Sequence, residues 1–241
     1  YPTPDENAEL SATNEHAKVF YHKMGTPQDS DELIFYDPET PKISPNVNVT
    51  DAGRFIFLYR SAGTYGNSLS FRDTKVFQDS WTPIVDDFNS NFWILDHIEG
   101  QLIAQTDRNA PLKKIVRIDP SKPQEEYWET LIAGTKEEVL SSVNLVGGKF
   151  FAHFTKDVSS VWKVYNLDGN YLYDVDLPGK GIVGGFGGNL NNISNAENFV
   201  GRWRFQRDNI FIDIRSGEAA CRPEHIFERD GSGEVFHSDY G

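Results

Sequence analysis

Short runs in which polar and apolar residues alternate fill this chain, separated by glycine and aspartate turns, and that period of two is the pattern of half-buried β-strands. A glycine turn opens the runs Gly53-Arg54-Phe55-Ile56-Phe57-Leu58-Tyr59, Gly100-Gln101-Leu102-Ile103-Ala104-Gln105 and Gly148-Lys149-Phe150-Phe151-Ala152-His153-Phe154. A second alternating run follows: Ser68 to Asp73, Lys114 to Asp119, Trp162 to Asp168, and Ile210 to Ile214. The glycines Gly53, Gly100 and Gly148 and the aspartates Asp73, Asp119, Asp168 and Asp213 are two separate landmarks that keep one period of about 48 residues. Around them the pattern predicts a first strand before each glycine (Val47 to Thr50, Phe92 to Ile98, Val139 to Val146). It predicts a fourth strand after each aspartate turn (Trp81 to Val85, Tyr127 to Ile132, Tyr171 to Leu177).

Four short strands per repeat is the make-up of a propeller blade. The fold class read from the pattern is therefore all-β, a β-propeller of four-stranded antiparallel blades, with an evenly stranded sandwich as the rival. The expected partial propeller spans 1–228. It comprises a half-blade at about 18–36 and blades at about 45–86, 91–133, 139–178 and 181–228, with an unassigned C-terminal tail at 229–241. About four and a half blades make an open arc unless the two ends pair to close a five-bladed ring. Helical periodicity is absent over any useful length, and one helical turn is expected at Thr135 to Leu140, where Lys136, Glu137 and Glu138 follow a threonine.

Composition alters this picture little. Among 241 residues, 17 Phe, 10 Tyr and 5 Trp supply the large side chains that fill the space between blades. A net charge of −13, with 23 scattered Lys and Arg, argues against nucleic acid as a partner. A single cysteine, Cys221, leaves no internal disulfide. No apolar stretch approaches the roughly 20 residues of a membrane helix, so the chain reads as soluble, with no membrane partner. The opening Tyr1-Pro2-Thr3-Pro4-Asp5-Glu6 is acidic and lacks an initiating Met, which suggests a chain cut or processed from something longer.

Candidate chemistry is sparse. Gly66-Asn67-Ser68-Leu69-Ser70 is the nearest approach to Gly-x-Ser-x-Gly, but it lacks the second glycine that a strained nucleophile elbow needs, so Ser68 reads as a turn residue. Cys221, with His225 four residues on, reads as an ordinary thiol. The histidines His16, His22, His97, His153, His225 and His237 show no paired-ligand spacing. Asp87-Phe88-Asn89-Ser90-Asn91 begins like a calcium loop but continues with Phe92 at the glycine position and Ile98 at the acidic one, so it reads as a turn between blades. Gly184-Gly185-Phe186-Gly187-Gly188 lacks the Lys-Ser/Thr and helix of a phosphate loop. Asn48-Val49-Thr50 and Asn192-Ile193-Ser194 fit the glycosylation pattern, which matters only in a eukaryotic secretory setting. No catalytic, cofactor-binding or metal residue is assigned, no cofactor is expected, and no substrate-contacting residue is named.

Several strings carry a resemblance. Glu9-Leu10-Ser11-Ala12, Lys18-Val19-Phe20-Tyr21-His22-Lys23-Met24-Gly25-Thr26-Pro27-Gln28 and Asp31-Glu32-Leu33-Ile34-Phe35-Tyr36-Asp37-Pro38 come first. Val49 to Phe55, Gln105 to Pro111, His153 to Val158 and Gly184 to Gly188 follow in register. Together they resemble the propeller domain of bacterial prolyl oligopeptidases, serine peptidases of family S9, continuously over residues 1 to about 190. Beyond Asn189 the match weakens, and 223–241 has no counterpart.

The resemblance implies a seven-bladed ring, on the order of 340 residues at this period. It also implies an α/β-hydrolase domain built from segments flanking the propeller, carrying a Ser-Asp-His triad that cleaves after proline. The propeller would cover that site and restrict entry to short peptides. On this resemblance the expected role is a non-catalytic lid and size filter, inactive alone. The expected partners are short proline-containing peptides and the hydrolase domain of the same enzyme, with self-association if an open arc leaves blade faces bare. The alternative is a free-standing binding module of propeller type without peptidase activity. The bacterial cytoplasm and periplasm both remain open as compartments.

Overall fold

The computed structural model describes residues 15–76, 80–177 and 181–182, together with the strands Gly201–Arg204, Phe211–Ile214 and Ile226–Phe227. The described residues form an all-β array of antiparallel sheets. Strands β1 (Val19–Tyr21) and β2 (Glu32–Phe35) make a two-stranded sheet. Three four-stranded sheets follow in simple meander order. The first holds β3 (Ser44–Val49), β4 (Phe55–Ser61), β5 (Ser68–Asp73) and β6 (Thr82–Val85). The second holds β7 (Phe92–Ile98), β8 (Gln101–Thr106), β9 (Lys114–Ile118) and β10 (Glu129–Ala133). The third holds β11 (Val139–Val146), β12 (Lys149–Lys156), β13 (Ser159–Tyr165) and β14 (Tyr171–Asp174). A three-stranded sheet of β15 (Gly201–Arg204), β16 (Phe211–Ile214) and β17 (Ile226–Phe227) comes last.

The repeat landmarks hold. Gly53, Gly100 and Gly148 each lie in the turn between the first and second strands of a sheet, with φ of +69°, +84° and +72°. That left-handed conformation is why glycine marks the repeat. From each turn the second strand runs into the core, which is made of Phe55, Phe57 and Leu58, then Leu102, Ile103 and Ala104, then Phe150, Ala152 and Phe154. Third strands complete it with Leu69 and Phe71, Ile115, Val116 and Ile118, and Trp162 and Val164. These aromatic side chains bury the most area per residue, which is how short strands sustain a core.

Three local expectations are corrected. Thr135 to Leu140 forms no helical turn: Thr135 and Glu138 exchange backbone hydrogen bonds, at 2.8 Å and 3.2 Å, and Val139 and Leu140 already belong to β11. Tyr127 lies in a 3₁₀ turn, Glu125–Tyr127, and β10 starts only at Glu129. There the Trp128 indole N–H donates to the Pro123 carbonyl at 2.8 Å, closing the turn before the strand. β13 begins at Ser159, ahead of the expected Trp162, because Asp157 and Val158, at φ +46° and +61°, make a tight hairpin between β12 and β13.

The chain divides into two compact units, Tyr1–Leu102 with Ile118–Trp128, and Ile103–Arg117 with Glu129–Gly241. Among the described residues no helix is long and apolar enough to cross a membrane. Gly184 to Gly188, Asn192, Cys221, His225, His237, the Glu9-Leu10-Ser11-Ala12 string and the tail 229–241 lie outside the described residues.

Candidate functional site

Ser68 opens β5 opposite Arg60, with its side chain buried and its carbonyl accepting from Asn67 Nδ2 at 3.3 Å. An elbow serine stands exposed where a strand turns into a helix, whereas this one enters a strand facing inward.

Sequence reasoning passed over a second serine. The His153 Nε2 and Ser160 Oγ lie 2.8 Å apart across β12 and β13, and the His153 ring stacks on Trp162 at 4.7 Å and 9°. Burial lowers the His153 pKa, so the imidazole is neutral at neutral pH. A base beside a hydroxyl is two thirds of a triad, but the Ser160 N–H is already given to the Gly181 carbonyl at 2.8 Å and cannot serve a developing oxyanion. The pair is cross-strand packing. Its signal in the sequence was the hairpin register, concealed by the Asp157-Val158 turn.

Metal candidates resolve similarly. Asp87 Oδ1 accepts the Asn89 N–H at 2.9 Å, which makes an Asx turn. Among the described residues no group of three His, Cys, Asp or Glu could hold an ion. His16 is 3.1 Å from the Tyr36 hydroxyl, His22 is 2.6 Å from Asp31, and His97 is 3.2 Å from Asp96. Asn48 is exposed on β3, while Thr50 of its sequon is buried with Oγ1 accepting the Phe55 N–H at 3.1 Å.

The structure does build two tight joints, one within each unit. In the first unit the β4–β5 hairpin clasps the loop that leads into β7. Gly66 N–H donates to Asn91 Oδ1 at 3.1 Å, Asn67 N–H to the Ser90 carbonyl at 3.0 Å, and Phe92 N–H to Asn67 Oδ1 at 2.9 Å. The Ile94 N–H donates to the Tyr59 hydroxyl at 3.0 Å. Burial pushes the Tyr59 phenol up to about 12, against the opposing hydrogen bond from Ile94. At the other end of β4, Arg54 pairs with Asp73 at 2.9 Å and lies over the Phe55 ring. In the second unit, Arg117 donates to the Leu167 carbonyl at 2.6 Å and to Glu129 at 3.0 Å, and Gly134 N–H donates to the Lys113 carbonyl at 2.9 Å. Glu138 bridges Lys156 and Lys163.

One aromatic side chain at the first joint is exposed. Trp93 lies on β7 between the pinned amides of Phe92 and Ile94, yet its side chain is 60% exposed. The indole sits 5.9 Å from the Tyr59 ring. In the β3–β4 register Asn46 is directly opposite Tyr59 and Asn48 opposite Phe57, so both amides share the face that carries Tyr59, and both are exposed.

The family pattern described as "Prolyl oligopeptidase, N-terminal beta-propeller domain" matches residues 1–194. The prolyl endopeptidase of Elizabethkingia miricola is 36% identical over 188 residues, covering 78% of this chain and 26% of the relative. That of Dictyostelium discoideum is 27% identical over 208 residues, covering 75% and 27%. The chain thus spans about a quarter of the length of the curated relatives it matches. Among solved structures, prolyl oligopeptidase B from Galerina marginata bound to a 35mer hydrolysis and macrocyclization substrate superposes with a TM-score of 0.76 at 20% identity. That match covers 94% of this chain and 31% of that one. At such identity the likeness is one of fold.

Proposed function

Because this chain belongs to the N-terminal β-propeller family of prolyl oligopeptidases, we propose that it is the lid and substrate-size filter of a serine peptidase that cleaves short peptides after proline. The chemistry would be supplied by an α/β-hydrolase segment with its own Ser-Asp-His triad. The observation that carries the reading is the family match over residues 1–194, joined to 36% identity with a prolyl endopeptidase. The described residues are consistent with it in kind. Ser68 is buried, and the Ser160 amide is engaged by the Gly181 carbonyl.

A filter acts by excluding folded or long chains from a site where peptides reach the nucleophile. The test co-expresses the chain with an α/β-hydrolase segment bearing Gly-x-Ser-x-Gly and compares two substrates, a chromogenic Gly-Pro amide and a 35mer like that in the solved relative. The ratio of amide to 35mer cleavage is expected to rise when the chain is present. The chain alone is expected to hydrolyse neither and to take no fluorophosphonate label. An unchanged ratio, or stoichiometric labelling of Ser68, overturns the reading.

A further inference from the structure

We draw no further inference here: the strongest candidate, the apolar face of the two-stranded β1–β2 sheet, on which Phe20 and Leu33 stand opposite each other with both side chains exposed, carries nothing because nothing in the structure shows what covers it.

Discussion

Replacing Gly66 by Ala tests the clasp between the first two four-stranded sheets. At φ +79° any L residue is strained, by about 1–2 kcal/mol. A Cβ there would also meet the Phe88 carbonyl oxygen at 1.8 Å and its carbon at 2.6 Å, which are backbone atoms that cannot swing aside. The 86–91 loop must move, and with it go the Gly66–Asn91, Asn67–Ser90 and Asn67–Phe92 hydrogen bonds, each worth about 1 kcal/mol. Stiffening the unfolded chain returns about 0.4–1 kcal/mol, which leaves a net destabilisation of about 4 kcal/mol. That is a large part of the 5–15 kcal/mol typical of a domain. Two other glycines in the same unit separate the causes. Gly53, at φ +69° with nothing within 4 Å, carries the strain without the collision, and Gly53→Ala should cost only about 1 kcal/mol. Gly63 has neither, and Gly63→Ala should be neutral or slightly stabilising. Urea midpoints of the three variants, read by the fluorescence of the buried tryptophan, give the order directly. If Gly66→Ala and Gly53→Ala shift the midpoint equally, the collision with Phe88 does not hold the sheets and the reasoning fails.

Tyr59→Phe removes the acceptor of the Ile94 N–H and should cost about 1–3 kcal/mol in thermal or urea unfolding. The parent should also lose stability as pH rises from about 10, the unfolded value, through the raised value of about 12, and the variant should lack that part of the alkaline transition. At the acid end, burial pushes Asp73 up, but the Arg54 hydrogen bond, the Lys75 amide and the Arg54 charge together hold it below its ordinary value. Thr40, Glu39 and Arg60 lower Asp37 against its slight burial. A depressed carboxylate stabilises above its unfolded pKa, so these contributions are lost as pH falls below about 4. Asp73→Asn should flatten the fall in urea midpoint between neutral and acid pH, and an unchanged slope would refute the assignment. Arg117→Ala should cost about 1.5–3 kcal/mol through the Leu167 carbonyl, and Arg117→Lys should recover less than half of it in a melting experiment.

What was legible in the sequence follows from what periodicity can carry. β5, β7 and β11 were readable to the residue because their runs are bounded by turn residues whose conformation requires glycine or favours aspartate. β13 was not, because its turn puts Val158, a β-branched residue, at φ +61°, where no propensity would place it. Nor could alternation say which face of β7 is buried. Phe92, Ile94 and Asp96 point inward, so a carboxylate is buried while the indole of Trp93 stands out. Asp96 is tolerated there because its Oδ1 accepts the His97 N–H at 2.8 Å, a local bond that no hydrophobic pattern records. A strand that buries an acid and exposes a tryptophan contradicts its own pattern at two positions. The first contradiction is compensated within the chain. The second is compensated in part by the Tyr59 ring, 5.9 Å from the indole, a contact between strands of different sheets that alternation along one strand cannot record.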